Sequence, residues 1–460
     1  MSNAHPRTLT VAELFCGCGG FSHGFVRTDR FRVTLGVDVK EFALRTFRSN
    51  LNRVGMDPAT FCQDIRTIGL EELTEALSRQ GVSGPGALDC LIGGPPCQGF
   101  SQLRRAEERQ RGRIIRFRGY NKFLEDPRNA LVLRFLEVAA EVRPKFIVIE
   151  NVPQILRHSH KGKEGHLSES IVATLNDLGY SVAVGIVNAA DFGVPQLRER
   201  AIFVASSVSQ ARLPSPTHRD PDTGDENLRP WVNVRDAISD LPDPADGRED
   251  VLGGLPLSTY SCAPASKFAE LMRSSSAFPF NHLTRKYSER ILGIIKEMHP
   301  GEVWDHASER MQRRYANLIR RRQEPGQTDR QTRARLMRDG EIKDAFYRKY
   351  YWSAYTRLHW DRPALTITAN ANFLGSGRFT HPTKNRGLTM REAARLQSFD
   401  DDFKIITDRS DGTTQIGIGL DMLGEAVPPL LAQAIATDIA DTLFLPQSGS
   451  ELQLAHAGAR

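Results

Sequence analysis

The sequence predicts an α/β protein in which helices cover both faces of a mostly parallel sheet. Short apolar runs rich in β-branched residues recur between Leu9 and about Ser206. Turn signals bound these runs, and helical patterns separate them, which favours a parallel, Rossmann-like sheet with ligands at the carboxyl ends of its strands. The runs read LTVAELF, FRVTLGVDV, ALDCLIGG, KFIVIENV, YSVAVGIV and RAIFVAS.

A second, smaller domain is predicted after the first. A chain of 460 residues is too long for one core of ordinary size. After about Ser207 the regular pattern gives way to Pro-rich, Asp-rich and Arg-rich stretches, which indicates an irregular domain. We expect a first domain over 1–206, the irregular domain over 207–382, a return to the first domain over 383–446 and a disordered tail over 447–460.

Two helices are predicted in the returning segment. Thr389 and Glu392 form a capping box that opens the helix MREAARLQSF. Pro428 and Pro429 open a second, apolar helix, LLAQAIATDIADTLF. Regular structure is therefore expected to resume after the irregular domain.

Composition by itself excludes few functions. The net charge of +6 and the pI near 9.0 suit a polyanionic partner, but so small an excess is also common in proteins without one. The apolar runs are too short to cross a bilayer and the N-terminus lacks a secretory pattern, so a cytoplasmic protein is expected. No metal is expected, because the six cysteines form no C-x-x-C pair and have no nearby His pair at zinc spacing, and a reducing compartment disfavours disulfides. The cysteines are Cys16, Cys18, Cys62, Cys90, Cys97 and Cys262.

The first strand ends in a glycine-rich turn, ELFCGCGGF, where backbone can approach a ligand closely. The second strand ends in Asp38, near the distance at which an acid binds ribose hydroxyls. A dinucleotide motif would need a further glycine where this chain has Ser22. A nucleoside without phosphates, such as S-adenosylmethionine, fits better, and Asp64 is then a candidate for binding the adenine amino group. A turn that serves packing alone is the alternative interpretation.

The loop GGPPCQGFS, residues 93–101, directly follows the strand LDCLI. Its prolines stiffen the backbone before Cys97 and its glycines admit a flat ligand, so the loop presents a thiol. Glu150 lies at the carboxyl end of another strand, and Arg198 and Arg200 lie where a further strand begins. Singly, such residues are more typical of a packed core thiol, a helix N-terminal acid and surface cations.

Together these groups match what methylation of cytosine at C5 requires. Carbon 5 is a poor nucleophile, so a thiolate must first add to C6. The ring becomes an enamine only if N3 is protonated or strongly hydrogen-bonded. A carboxyl group near N3, a cation near O2 and a thiolate near C6 provide these conditions.

These blocks, in this order, resemble the DNA cytosine-5 methyltransferase family of the bacterial and phage restriction-modification type, over nearly all of residues 9–440. ELFCGCGGF resembles the cofactor loop, GGPPCQGFS the nucleophile loop, ENV the N3-binding acid and QLRER the Q-x-R-x-R pattern. RPALTIT resembles the block that supports the small domain, and LTMREAARLQSFDDDF with GEAVPPLLAQAI resembles the C-terminal block. The resemblance implies a methyltransferase sheet that binds S-adenosylmethionine, with a target-recognition domain beside it.

The resemblance also implies a role for each matching residue. Cys97 attacks C6, Glu150 holds N3 and the exocyclic amine, and Arg200 holds O2. Arg198 supports the loop. The cofactor S-adenosyl-L-methionine is expected to contact Phe15, Gly17, Gly19, Gly20, Asp38, Val39, Asp64, Ile65, Pro96, Leu131, Glu425 and Ala426, with Phe15 near the adenine.

Three departures from the family pattern concern the cofactor. Asp38 replaces the usual Glu and is one methylene shorter, and Val39 replaces a bulky aromatic residue. Glu425 replaces the Asn of a Gly-Asn-Ala-Val motif, which puts a charge where an amide makes hydrogen bonds. We expect an altered cofactor affinity, and the role of position 425 stays open.

Two regions are expected to contact double-stranded DNA. The basic stretch from Leu103 to Lys122 would close over an extruded base as a mobile loop, although a solvated charged helix fits its composition equally well. The basic span from Asn281 to Arg357, with interleaved aromatic residues, occupies the place of the family's recognition region. Sequence choice is predicted to reside in 207–382, whose candidate DNA contacts include Arg313, Arg314, Arg320, Arg321, Arg322, Arg333 and Arg335.

Other functions fit parts of the sequence. An RNA cytosine methyltransferase would have a short recognition region and a Cys-Phe-Thr tripeptide, which this sequence lacks. A non-catalytic relative would be expected to lack the thiol or the acid, and a nicotinamide-dependent oxidoreductase would need the missing glycine. The expected setting is a restriction-modification system, in which a monomer acts on nucleoid DNA and a cognate endonuclease acts separately.

Overall fold

A computed structural model of the protein shows one large sheet covered by helices. It describes residues 8–96, 130–157, 166–223, 226–246, 259–273, 278–350, 352–409 and 414–444. Cys97, the basic stretch from Leu103 to Lys122 and the predicted tail over 447–460 lie outside the described residues.

One mostly parallel sheet dominates the fold. The strands within the described residues are β1 (Leu9–Leu14), β2 (Phe31–Asp38), β3 (Ala59–Cys62), β4 (Cys90–Gly93), β5 (Phe146–Asn151), β6 (Ser181–Asn188), β7 (Gln196–Leu197), β8 (Glu199–Ser206), β9 (His218–Arg219), β10 (Arg229–Pro230), β11 (Ala245–Asp246), β12 (Leu283–Thr284) and β13 (Ala364–Leu365). Seven of these described strands form the sheet in the order β3-β2-β1-β4-β5-β8-β6. Neighbouring strands are parallel, except that β8 is antiparallel to β5 and β6.

Helices alternate with the strands of the first half and predominate in the second half. They are α1 (Gly20–Val26), α2 (Glu41–Arg53), α3 (Leu70–Arg79), α4 (Ala130–Val142), α5 (Gln154–Arg157), α6 (His166–Asp177), α7 (Val234–Ile238), α8 (Lys267–Arg273), α9 (Glu289–Ile295), α10 (Trp304–Arg322), α11 (Asp329–Arg338), α12 (Met390–Leu396), α13 (Ile416–Glu425) and α14 (Pro429–Phe444). Short 3-10 helices cover Ile65–Thr67, Ala189–Phe192, Asp344–Tyr347 and Leu374–Ser376. In the described part of the chain, no helix has both the length and the apolar character that crossing a membrane requires.

Alternating side chains of the strands fill a separate core on each face of the sheet. Val11, Ile92 and Val148 pack with apolar residues of α1 and α14 on one face. Leu91 and Ile147 pack with apolar residues of α3 and α4 on the other. Because both faces are apolar, the strands appear in the sequence as continuous apolar runs.

Most of the predicted elements are confirmed. Each of the six apolar runs overlaps a strand of the sheet, and α14 begins at Pro429 as expected. The capping box of α12 is present, since the Thr389 hydroxyl accepts from the Glu392 N–H at 3.0 Å and the Glu392 carboxylate accepts from the Thr389 N–H at 2.9 Å. Strand β3 was not predicted, because its four residues, partly buried at the sheet edge except for the exposed Cys62, are too few to form a recognisable run.

A further hydrophobic cluster lies outside the sheet and includes Trp304, whose ring stacks on Phe346 with centroids 5.2 Å apart. It combines residues of α7 to α11 with residues of α12 and α13. The segment 207–382 is therefore more regular than the sequence predicts, and α10 alone spans 19 residues. In α10 a residue is buried only at every third or fourth position, and arginines occupy many of the positions between, so the apolar period is hard to recognise in the sequence. The buried residues are Trp304, Ala307, Met311, Tyr315 and Ile319.

Candidate active site

The carboxyl edge of the sheet holds two of the predicted catalytic side chains, those of Glu150 and Arg200. Strand β4 ends at Gly93, and Gly94 separates it from the two prolines. Strand β5 carries Glu150 as its next-to-last residue. Strand β8 runs antiparallel to β5, with Ile202 opposite Glu150. Because the two strands are antiparallel, the start of β8 lies beside the end of β5, and Arg200 lies at the same edge as Glu150.

Glu150 and Arg200 form an ion pair at this edge. Nε of Arg200 lies 2.7 Å from Oε1 of Glu150, and the two side chains are only 13% and 11% exposed. A Cβ built on Gly94 would lie 3.2 Å from the other carboxylate oxygen of Glu150. The glycine thus lets the proline loop approach the carboxylate. With little water around them, the two charges interact more strongly than an exposed pair would.

Asn151, the middle residue of the Glu-Asn-Val block, anchors the loop before Cys97. Its side-chain amide donates to the Pro95 carbonyl oxygen at 3.0 Å, and its Oδ1 accepts from the Val152 N–H at 2.9 Å. Asn151 is buried, and Pro96 is partly buried. Sequence reasoning assigned Asn151 no role. The sequence feature that could have indicated such a role is a polar residue at the end of an apolar strand.

Arg198 connects the start of β8 to two distant segments. Its guanidinium is 1% exposed and donates to the carbonyl oxygens of Ile367 at 2.8 Å, Gly424 at 3.0 Å and Ala426 at 3.1 Å. No described residue accepts from its Nε. Burial lowers the pKa of Arg198 well below the ordinary value for arginine. These contacts are those of a supporting residue.

The glycine-rich turn after β1 leaves open space beside Asp38. Phe15 and Gly17 have positive φ angles of 59° and 52°, and the Gly17 N–H donates to Oδ2 of Asp38 at 2.8 Å. A Cβ at position 17 would meet no atom within 4 Å. The Lys40 N–H donates to Oδ1 of Asp38 at 2.8 Å, and burial raises the pKa of this carboxyl group. Two backbone donors therefore hold the acid beside an open turn.

Gly19 and Gly20 allow other segments to pack closely against the turn. At Gly19, φ is 90° and a Cβ would lie 2.9 Å from the ring of Phe47. At Gly20, a Cβ would collide with the Val427 carbonyl oxygen and approach the Cβ of Ala426 to 3.2 Å. Any ligand contact at these two positions must therefore come from the backbone.

Ser22, at the position of the missing glycine, bonds to Glu13. Its N–H donates to Oε2 of Glu13 at 3.0 Å, and its hydroxyl donates to the same oxygen. Both residues are buried, and burial raises the pKa of Glu13 to about 8. This polar pair fills the space in which the third glycine of a dinucleotide motif packs helix against strand.

The other predicted cofactor residues lie at neighbouring strand ends. Val39, directly after β2, is 65% exposed, whereas Ile65 is buried in the 3-10 helix that Asp64 caps. Asp64 accepts from the Arg66 N–H at 3.0 Å, and the hydrogen-bonded guanidinium of Arg66 lowers the pKa of Asp64. Leu131 is partly buried in the first turn of α4. Because β2 and β3 are paired, Val39 and Asp64 belong to the same edge of the sheet.

Glu425 forms an ion pair with Lys40, which sequence reasoning did not single out. The pair joins the loop after β2 to the end of α13, and its side chains are 52% exposed for Lys40 and 45% for Glu425. Asp421 lies one helical turn before Glu425, and burial raises the pKa of Asp421 to about 6. Lys40, two residues after Asp38, therefore balances the negative charge of Glu425, which stands where the family has asparagine.

Fold and site together are those of an α/β methyltransferase. The sheet has one antiparallel strand near its edge, and an acid and a guanidinium meet beside a loop that Asn151 anchors. The chain belongs to the C-5 cytosine-specific DNA methylase family, whose model matches residues 9–441. It is therefore a DNA (cytosine-5)-methyltransferase, and this family uses S-adenosyl-L-methionine as methyl donor.

Similar proteins agree with this assignment. The chain is 30% identical to the type II methyltransferase M.AgeI of Thalassovita gelatinovora, with 94% of this chain and 99% of that protein covered. It is 29% identical to the type II methyltransferase M.DdeI of Desulfomicrobium norvegicum, with coverage of 94% and 88%. The fold resembles that of a prophage-encoded protein of E. coli, with a TM-score of 0.64 at 21% identity, covering 95% and 99%. It also resembles the methyltransferase EhMeth of Entamoeba histolytica, with a TM-score of 0.53 at 15% identity, covering 95% and 99%.

Proposed function

We propose that this methyltransferase acts on a cytosine extruded from a specific double-stranded sequence, through a covalent bond between Cys97 and C6. The observation that carries the proposal is the ion pair of Glu150 and Arg200, 2.7 Å apart, beside the proline loop. N3 and O2 are neighbouring atoms on one edge of cytosine. A carboxyl group and a guanidinium held side by side match this edge.

The first chemical step is the addition of Cys97 to the ring. The target must leave the duplex, because C6 is inaccessible within the base stack. Glu150, ionised in its pair with Arg200, takes up a proton from solvent when the base enters. The thiolate of Cys97 then adds to C6 while Glu150 donates this proton to N3 and Arg200 donates a hydrogen bond to O2. Asn151 aids this step by holding Pro95, two residues before the nucleophile. The enamine that results makes C5 nucleophilic.

The second step completes the transfer and frees the enzyme. S-adenosyl-L-methionine supplies the electrophilic methyl group that C5 takes up. A base or a water molecule then removes the C5 proton, and the bond between C6 and sulfur breaks. Glu150 takes back the N3 proton as Cys97 leaves as a thiolate.

The residues around the first turn fit the cofactor. Asp38, held by two backbone donors, is placed to accept ribose hydroxyls, and the open space at Gly17 gives a ligand access to the backbone. The exposed Val39 offers apolar surface to the adenine, and Asp64 offers an acceptor to its amino group. Asp38→Ala should therefore weaken S-adenosylmethionine binding in calorimetry. Unchanged affinity would remove this acid from the site.

Sequence choice is assigned to 207–382, with the catalytic parts in 1–206 and 383–446. The similarity to type II methyltransferases favours a restriction-modification setting, in which a separate endonuclease cuts unmethylated sites. The chain would act as a monomer on nucleoid DNA in the cytoplasm. Exchange of 207–382 for the matching segment of M.AgeI should transfer the methylated sequence. A chimera that still methylates the original site would place recognition elsewhere.

Trapping on a modified duplex tests the covalent step. Bisulfite sequencing of DNA from cells that express the protein first identifies the methylated sequence. A duplex with 5-fluorocytosine at that position should then form a stable adduct with the wild-type protein and none with Cys97→Ala, because the fluorine cannot leave as a proton does. An adduct on Cys97→Ala would exclude this residue as the nucleophile.

Glu150→Gln tests the acid. The amide cannot donate a proton to N3 as a carboxyl group does, so turnover should fall by about 100-fold to 10,000-fold. Glu199→Gln, an exposed change one residue from Arg200, is the matched control and should keep near wild-type turnover. Equal turnover of the two variants would contradict the assigned role.

A further inference from the structure

The loop of residues 368–378 follows β13 and has no part in the steps above. Strand β13 pairs with β7, which directly precedes the strand that carries Arg200. Two residues after β13, the Ile367 carbonyl oxygen accepts from Arg198 at 2.8 Å. The chain that follows, residues 368–378, thus leaves from the edge of the sheet at which the cytosine is held.

Phe373 projects from this loop. Phe373 is 60% exposed, and the backbone on either side of it is folded into successive turns. The Ala371 N–H donates to the Thr368 carbonyl oxygen and the Phe373 N–H to that of Asn370, both at 3.0 Å. A Cβ at Gly375 would lie 2.9 Å from the Phe373 ring, so the ring rests on the loop's own backbone. This is the arrangement of a supported stacking surface rather than of a core residue.

Trp352, on the adjacent segment, adds a second exposed aromatic side chain. It is 52% exposed. The Tyr355 N–H donates to the Leu374 carbonyl oxygen at 2.9 Å, and a Cβ at Gly377 would lie 2.6 Å from the Ser353 carbonyl oxygen. The two segments therefore pack backbone to backbone, so the two exposed rings stand on adjacent segments.

Two guanidinium groups border these rings. Cζ of Arg378 lies 5.3 Å from the centroid of the Trp352 ring, and Arg285 donates to the Asn372 carbonyl oxygen at 2.7 Å. Neither arginine has an ion-pair partner among the described residues. Aromatic faces beside cations match the bases and phosphates of nucleic acid. An apolar protein partner would instead bury unpaired charges, which is costly.

We propose that Trp352, Phe373, Arg285 and Arg378 form a surface that contacts the duplex beside the extruded cytosine. Phe373 stacks on the bases that extrusion exposes, which lowers the cost of opening the stack. Stacking of a base on an aromatic side chain is worth about 1–3 kcal/mol, or about 5-fold to 150-fold in an equilibrium. The inference rests on the proposed function, because it requires extrusion of the target.

The test compares Phe373→Ala with Phe444→Ala, which removes another exposed phenylalanine at the end of α14. A duplex with 2-aminopurine at the target position reports extrusion by increased fluorescence. Phe373→Ala should reduce the extruded fraction and kcat/KM by about 5-fold to 150-fold on a matched duplex. Phe373→Trp and Phe444→Ala should keep both. On a duplex with a mismatched target, which costs less to open, the loss for Phe373→Ala should shrink.

Equal extrusion by the two alanine variants would overturn the inference. A loss of the same size on matched and mismatched duplexes would also overturn it, because that result indicates support of the fold or of the catalytic edge. The wild-type protein separates this failure from that of the proposed function. If it forms no adduct with 5-fluorocytosine, then the covalent mechanism fails, whatever Phe373 contributes.

Discussion

Two arginine-rich regions of the molecule use the same side chain in opposite ways. At the junction between the sheet and the C-terminal block, Arg198, Arg391 and Arg395 are fully buried. On α10, in contrast, the side chains of Arg313 and Arg314 are 80% and 65% exposed. The junction arginines donate mainly to backbone carbonyl oxygens and to buried aspartates. Arg313 and Arg314 contact glutamates on the surface.

The difference follows from the surroundings of the charge. Arg391 donates to the carbonyl oxygens of Phe280, Asp400 and Phe403, and so joins segments that are more than 100 positions apart. A buried guanidinium can satisfy several such acceptors at once because it has five donors in a plane. An exposed guanidinium contributes little to stability, since water and salt screen it, and it stays available to phosphates. Burial therefore distinguishes structural arginines from candidate DNA contacts.

The largest expected effect is on stability and concerns Arg198. Arg198→Met removes the donors to three carbonyl oxygens, two in buried hydrogen bonds and one in a partly buried bond. A buried carbonyl oxygen costs about 1–3 kcal/mol when left unsatisfied. The free energy of unfolding should fall by roughly 3 kcal/mol or more, whereas Arg313→Met on α10 should change it by less than about 1 kcal/mol. Urea denaturation followed by circular dichroism measures both. Similar stabilities for the two variants would remove the contrast between the regions.

The junction should also respond to acid through His381. Nδ1 of His381 accepts from the Thr383 N–H at 3.2 Å and the Lys384 N–H at 3.0 Å, and burial lowers the pKa of His381 to about 4. The unfolded chain binds a proton near pH 6.5 but the folded protein does not, so stability is full above this pH and is lost as pH falls through about 4. The loss should reach about 3 kcal/mol, at about 1.4 kcal/mol for each pKa unit.

His381→Asn is the variant that checks this prediction. Asparagine keeps an acceptor for the two backbone donors but does not titrate. The free energy of unfolding of the variant, measured by urea denaturation from pH 7 to pH 4, should fall less steeply with decreasing pH than that of the wild-type protein. Parallel curves would mean that another group causes the acid sensitivity.

Arg321 and Arg314 test the exposed region on DNA. They lie seven positions apart and so on the same face of α10. Arg314 is paired with Glu297 at 3.0 Å, whereas Arg321 has no ion-pair partner among the described residues. Arg321→Ala should weaken DNA binding by about 1 kcal/mol. The slope of the logarithm of the binding constant against the logarithm of salt concentration should fall by the amount expected for about one phosphate contact. Arg314→Ala should change both less. Salt titrations of binding that give equal slopes for both variants would contradict this ranking.

The smallest effect is expected from the half-exposed pair of Lys40 and Glu425. Exposed ion pairs contribute about 0–1 kcal/mol, so a double-mutant cycle with Lys40→Met and Glu425→Gln should give a coupling energy below about 1 kcal/mol for S-adenosylmethionine binding. Calorimetry at two salt concentrations measures it. A coupling above about 2 kcal/mol would place this pair with the junction contacts.

Local signals in the sequence determine the sheet and much of the candidate site. The strands are identified by their apolar runs, and α12 by its capping box, because burial and capping are properties of neighbouring residues. The resemblance implies that Glu150 and Arg200 hold neighbouring atoms of one base, and the two side chains form an ion pair at the carboxyl edge of the sheet. The family itself was identified by short blocks in a fixed order, and the match over residues 9–441 confirms it.

Other features depend on tertiary structure alone. The hydrogen bond from Asn151 to Pro95 spans 56 positions, and those from Arg198 to the C-terminal block span more than 200. No local sequence pattern predicts contacts over such separations. The pairing of Glu425 with Lys40 likewise answers a question that the sequence left open. A local pattern records how a residue relates to its neighbours and to water. Which distant carbonyl or charge it meets is decided only when the segments pack, because the cost of burying a polar group unpaired selects the partner.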